Sequence, residues 1–233
     1  MADIIQINDT TWRIEDRGVR FFLLTGTKKA LLIDSGMNTP NAKQIAESIT
    51  KLPIILLNTH ADPDHISGNS SFECFYMHPD EEDNYRAHGG SGIILPVKES
   101  DIIDIGNRLL KIIFIPGHTP GSIAVLDINS KVLISGDAIQ DGNIFMFNKR
   151  RNLSLYVKSL KKLSMYTDEF DTIYPSHGSF PVLPELIAAL IEGAEQIING
   201  TAKGKIVDMF GTPVMLYKFP YAGFLCDISE HKK

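Results

Sequence analysis

Three short apolar runs in this chain end in histidine, and a fourth ends in aspartate. The run Ile54–Leu57 leads into His60 and His65, residues 112–115 into His118, residues 173–174 into His177, and residues 132–134 into Asp137. Continuous apolar runs this short are strands buried on both faces. Polar groups at the tips of such strands meet only where the strands share an edge, and loops at such edges are where rigid sheets present functional side chains. The densest stretch is His60-Ala61-Asp62-Pro63-Asp64-His65. Alone it could be a solvated turn or a set of loop caps. Its repetition at other strand ends argues for a metal site, with Pro63 holding Asp62 extended and aimed away from Asp64.

Periodicity fills in the rest. Strands are expected at residues 4–7, 11–14, 19–25, 30–33, 54–57, 74–77, 102–105, 108–115, 122–127, 132–135 and 172–174, and helices at 39–52, 153–166 and 183–199. Thr39 is the expected N-cap of the first helix, with Pro40 at its first position. The polar segment 79–92 is expected to hold a short helix. No repeat or linker-like stretch divides the chain, so one domain over residues 1–233 is expected, with strands gathered into sheets and helices packed outside.

Composition sets bounds on function. Hydrophobic residues make up 43% and charged residues 22%, the balance of an ordinary globular protein. A net charge of −5 argues against a nucleic-acid surface built on bulk positive charge. No apolar run approaches the length of a membrane span and no export leader precedes the first strand, so a cytoplasmic protein is expected. Cys74 and Cys226 lie far apart and outside any CxxC spacing, and are expected to be buried thiols rather than a disulfide.

Taken together, His60-x-Asp62-x-Asp64-His65, Gly117-His118-Thr119-Pro120-Gly121-Ser122, Ser135-Gly136-Asp137 and Ser176-His177-Gly178 resemble the metallo-β-lactamase-fold superfamily of metallo-hydrolases. The turn Asp34-Ser35-Gly36 is similar to that family's Asp-Thr-Gly turn. The resemblance covers roughly residues 10 to 180, with motifs in the family's order. It implies an αββα sandwich of two mixed β-sheets with helices outside, and two divalent transition metals (Zn, Fe or Mn) at one edge. The first metal would be held by His60, Asp62 and His118 and the second by Asp64, His65 and His177, with Asp137 bridging. Imidazole and carboxylate donors suit such ions. Asp64 and Asp137 would also serve the chemistry, in which a hydroxide shared by the metals attacks a thioester, lactone or related carbonyl.

Position 62 departs from the family's commonest pattern, which has histidine there. Three carboxylates and a hydroxide against two divalent ions would give a neutral core, favouring harder ions such as Fe or Mn. Two alternatives stay open: a phosphodiester or phosphonate hydrolase on the same metals, and, motivated by the carboxylate at 62, a non-hydrolytic di-iron redox or sensing protein.

Other residues read as supports. His78 and His88 are expected near the surface or behind the ligands, His231 in a solvated tail, and Asp34 as a group that orients a ligand or caps a turn. A small-molecule substrate is expected, without nucleic acid or membrane; the oligomeric state is open. Its pocket is open too. Ile144, Phe145, Met146 and Phe147, followed by Lys149, Arg150 and Arg151, could seat an acyl or aryl group with an anionic end, or could be core and a solvated helix start.

Overall fold

The computed structural model describes residues 2–228; His231 lies outside them. Sixteen strands and four α-helices follow one another as β1 (Asp3–Asn8), β2 (Thr11–Asp16), β3 (Val19–Thr25), β4 (Ala30–Ile33), α1 (Ala42–Ile49), β5 (Ile54–Leu57), β6 (Cys74–Met77), α2 (Glu82–Ala87), β7 (Ile93–Pro96), β8 (Ile102–Asp104), β9 (Leu109–Phe114), β10 (Ile123–Asp127), β11 (Val132–Gly136), β12 (Asn143–Met146), α3 (Leu153–Leu163), β13 (Thr172–Pro175), α4 (Leu186–Ile198), β14 (Gly204–Met209), β15 (Thr212–Lys218) and β16 (Gly223–Cys226).

Strands β1 to β7 form one sheet in sequence order, and β13-β11-β10-β9-β8 form a second. Both mix parallel and antiparallel pairs. The inner layer between them is apolar: Phe22, Leu24, Leu31, Ile33 and Leu57 from the first sheet meet Leu110, Ile112, Ile123, Val125 and Ile134 from the second. On the outer side of the first sheet, Phe21, Leu23 and Leu32 pack against Ala42 and Ala46 of α1 and Tyr85 of α2. On the outer side of the second, Ile113, Ala124 and Leu133 pack against α3 and α4 through Tyr156, Leu160, Leu190 and Ala194. The layers are therefore αββα, the expected sandwich, because the central strands of each sheet have an apolar residue at nearly every position and must be covered on both faces.

Arg108 locks the two sheets together near one end. Its Nε donates to Asp127 Oδ2 at 2.8 Å and Nη2 to Thr11 Oγ1 at 2.8 Å, both buried, and Nη1 donates to Thr10 O at 2.7 Å.

Several expectations change. Helix α1 starts at Ala42 rather than at residue 40. The Thr39 hydroxyl donates instead to Asp16 Oδ2 at 2.6 Å, so it does not cap the helix. Cys74 is exposed, whereas Cys226 is buried, and no disulfide joins them. Strand β7 was not expected. Nor was a third sheet of four strands in the order β12-β16-β15-β14, which packs Ile144, Met146, Tyr217, Phe224 and Cys226 against the α3/α4 layer. Among the described residues, no helix is long and apolar enough to cross a membrane.

Candidate metal centre

All seven residues singled out in the sequence lie at C-terminal strand ends on one edge of the sandwich. His60, Asp62, Asp64 and His65 follow β5, His118 follows β9, Asp137 follows β11 and His177 follows β13. Strands β11 and β13 are parallel neighbours, so their tips deliver Asp137 and His177 side by side. The sheets are tied at this edge by Ile123 N donating to Thr59 O at 2.9 Å and Arg20 N donating to Ser176 O at 2.8 Å. Two glycines make the approach possible. Gly117 has φ +140° and a Cβ there would overlap the Tyr156 backbone; Gly136 has φ +55° and its Cβ would lie 2.8 Å from Thr59 Oγ1.

Two groups of donor atoms result. Asp64, His65, Asp137 and His177 converge in one, and His60, Asp62 and His118 in the other, every donor atom within 4.8 Å of the rest of its group. Asp137 lies between them. Its Oδ1 is 3.2 Å from His65 Nε2 and 3.4 Å from His177 Nε2, while its Oδ2 is 3.5 Å from His118 Nε2. Asp64 Oδ2 is 3.2 Å from His177 Nε2, and Asp62 Oδ2 is 3.4 Å from His118 Nε2 and 3.6 Å from His60 Nε2.

The four imidazoles share one orientation. His118 Nδ1 donates to Phe145 O at 3.1 Å and His177 Nδ1 to Gly18 O at 2.8 Å; a carbonyl can only accept. His65 Nδ1 meets Asp34 Oδ2 at 2.9 Å. His60 Nδ1 lies 3.0 Å from Thr59 Oγ1, whose own proton goes to Asp34 Oδ2 at 2.7 Å. Asp34 thus fixes one ring directly and another through Thr59, in line with the orienting role expected of it. With Nδ1 committed to these acceptors, each ring turns its Nε2 toward the centre, the nitrogen that presents a lone pair once the ring is neutral. His60 Nε2, His65 Nε2, His118 Nε2 and Asp137 Oδ1 are buried without a hydrogen-bond partner. Buried polar atoms rarely stay unpaired, and four of them aimed at one centre is the donor set a pair of cations would satisfy.

Electrostatics follow from this crowding. Burial opposes charge on Asp137, yet His177 and His65 hold its carboxyl well below the ordinary range. Burial likewise disfavours a charged His65, but Asp137, Asp64 and Asp34 raise its pKa well above the usual value. His177 is raised to about 10, against burial, by Asp137 and Asp64. His118 goes the other way, lowered by burial and by the charge of Arg151.

Two supports were not foreseen. Glu81, fully buried, accepts from Ala61 N at 2.9 Å and from Gly121 N at 2.8 Å, so one carboxylate pins both the 60–65 loop and the loop after His118. Nothing distinguished it among the many charges of segment 79–92. Arg151, allowed for as a solvated cation, instead has its side chain largely covered and donates from Nη2 to Asp62 Oδ2. Arg150 lies 3.5 Å from Glu81 Oε1, leaving Lys149 as the exposed cation of the three. His78 stacks on Phe114 at 4.3 Å between centroids, and exposed His88 meets Asn84 O; neither reaches the centre. Ile144 and Met146 are core, whereas Phe145 and Phe147 are half-buried on the other face of β12.

Residues 14–177 match the profile of the Metallo-beta-lactamase superfamily. Among characterised proteins, the chain is similar to the acyl-coenzyme A thioesterase MBLAC2 of Gallus gallus, 26% identical over 196 residues, covering 67% of this chain and 71% of that protein. It is also similar to a hydroxyacylglutathione hydrolase of Synechococcus sp., 29% identical over 120 residues, covering 50% and 46% of the two chains. Among solved structures, a metallo-beta-lactamase from Pontibacter korlensis superposes with a TM-score of 0.70 at 16% identity, covering 82% of this chain and 99% of that one. The sec-alkyl sulfatase PisA1 gives 0.72 at 11%, covering 85% and 42%.

Proposed function

This chain belongs to the metallo-β-lactamase superfamily, and we propose that it is a dinuclear metal-dependent hydrolase that cleaves the thioester or lactone carbonyl of a small substrate with an apolar acyl group. One observation carries the reading: four imidazoles are tied at Nδ1 by protein acceptors, the Nε2 atoms of His65 and His177 approach one oxygen of Asp137 and that of His118 the other, and His60 Nε2 faces Asp62 beside them. His60, Asp62 and His118 would hold one ion, Asp64, His65 and His177 the other, and Asp137 would join them. Zinc, iron and manganese all accept this donor set.

Two divalent ions supply the acidity that makes water a nucleophile at neutral pH and the positive charge that stabilises an oxyanion. The chain's own residues do the rest. Asp64 and Asp137 stay ionised, their pKa values lowered by neighbouring histidines against the effect of burial, so both face the centre as anions that can orient an attacking water. Asp34, Thr59, Gly18 O and Phe145 O keep the rings from turning.

The substrate class rests on the surface beside His118. The carbonyl of Phe145 accepts from His118, while its ring points outward, 5.6 Å from that of Phe147. Phe210, at the tip of the β14–β15 hairpin, stacks parallel to Phe145 at 6.5 Å. Three aromatic rings with Lys149 exposed nearby suit an apolar acyl group that carries an anionic end. The thioesterase named among the relatives supports the same class.

The test is metal analysis of protein purified without added metal, then assay against acyl thioesters of N-acetylcysteamine, acyl lactones and bis-p-nitrophenyl phosphate. Close to two transition-metal ions per chain with thioester or lactone turnover is expected. Folded protein that has never met a chelator and carries no metal would overturn the reading. Turnover of the phosphodiester alone would replace its substrate.

A further inference from the structure

Asp62 faces two ways. Its Oδ2 points between His60 Nε2 and His118 Nε2, and the same oxygen accepts from Arg151 Nη2. Arg151 is 7% exposed, and its Nε and Nη1 are buried with no protein partner, so Asp62 is the anion that answers its charge. Arg151 directly precedes Asn152, the N-cap of α3, whose backbone N–H donates to Gly117 O, next to His118. The guanidinium is therefore delivered to the site by a fixed helix start, onto the same Asp62 oxygen that the two histidines approach. The groups facing it are Asp62 and, beyond it, His60 and His118.

A buried arginine without a carboxylate is strongly destabilising, as is a buried carboxylate without a cation. An imidazole at position 62 would need neither. A carboxylate brings one negative charge and Arg151 one positive charge, so together they present the same net charge as a neutral ring. We infer that Asp62 and Arg151 act as one neutral ligand unit: Arg151 is a positioning residue that aims Oδ2 between His60 and His118 and cancels the charge this carboxylate introduces. The neutral core expected from Asp62 alone is then shifted back by one positive unit, which removes the charge argument for harder ions and for the di-iron reading. The inference rests on the metal reading of the site, and its test separates the two.

Four proteins close the cycle: the parent, Asp62→His, Arg151→Leu, and the double variant, with Arg151→Lys as a charge-retaining control. Each is unfolded in urea with excess chelator, and each is titrated with Zn(II) against a chromophoric chelator. Asp62→His leaves Arg151 buried without its anion beside a cation site. It is expected to lower the urea midpoint and to weaken the less tightly held ion by about tenfold, the effect of one added unit charge a few ångströms away. Arg151→Leu leaves Asp62 uncompensated and also lowers the midpoint, while Arg151→Lys stays near the parent. The double variant is expected to recover more than half of the midpoint lost by the worse single variant and most of the affinity lost by Asp62→His. Additive effects in both measurements, with the double variant below either single one, would overturn the pairing. So would an Arg151→Lys protein as unstable as Arg151→Leu. If no protein, parent included, binds Zn(II), the metal reading fails, and the metal-free urea cycle still decides whether the pair exists.

Discussion

Asp137 is the residue with most to lose. Its two oxygens face different histidine groups, so Asp137→Ala disturbs both, whereas Asp62→Ala leaves Asp64, His65 and His177 in place. Activity measured at saturating metal is expected to fall at least about a hundredfold further in Asp137→Ala, since even residues behind metal ligands cost 10- to 100-fold. The reverse order would put the shared position elsewhere. Glu81 makes a different claim, because it touches no donor atom and instead bonds Ala61 N and Gly121 N. Glu81→Ala strands two buried amide groups and Arg150, so a loss of about 2–4 kcal/mol in urea unfolding is expected, together with weaker metal binding. A stable variant with unaltered affinity would show that the two loops hold themselves.

At the scale of elements, the β14–β15 hairpin stands out. Phe210 occupies its turn at φ +54°, with Gly211 at +80°, the primed geometry that favours Asn-Gly. A bulky ring in this region is disfavoured, and Phe210 is 87% exposed, so neither local conformation nor burial accounts for it. Its place over Phe145 does, if the hairpin tip forms part of an acyl-binding surface. Phe210→Asn is then expected to stabilise the fold by up to about 1 kcal/mol while raising KM for long-chain thioesters and leaving short ones unchanged. Equal KM values across a series from two to twelve carbons would remove the hairpin from the substrate surface. Legibility differed sharply between elements. Strands β3 to β6 were readable because each is a continuous apolar run buried in a sandwich. Strands β12, β14 and β15 were not, because a sheet covered by one helix layer has mixed exposure, and the fully buried β16 was not because it is a four-residue run opening on Gly223.

Across the whole molecule, the candidate metal centre sits at the joint between the two sheets, so any metal bound there is coupled to folding and to protons. In the metal-free protein the neighbouring carboxylates raise the pKa values of His65 and His177, that of His177 to about 10, so His177 is protonated at pH 7, while burial and Arg151 lower that of His118. Metal ligation requires neutral imidazole, so binding must displace the proton on His177, and affinity rises with pH up to about 10, where His177 deprotonates unaided. Calorimetric titrations at pH 7 in buffers of different ionisation enthalpy are expected to report release of at least about one proton per chain beyond those lost by bound water. No net release would show that the histidines are already neutral. What the sequence determined by itself was the sandwich and the seven candidate donors that its edge brings together. Strand tips that carry histidine or aspartate have local signatures, and a shared edge is the one geometry that can use them all. What only the tertiary structure decided was everything that acts across a long separation in the chain. Arg151 meets Asp62 and Glu81 meets Gly121. Phe145 and Gly18 supply the carbonyls that turn His118 and His177. The physical reason is that charge and hydrogen-bond partners are chosen by proximity after the layers pack, and no residue's own neighbours in sequence record which group will arrive opposite it.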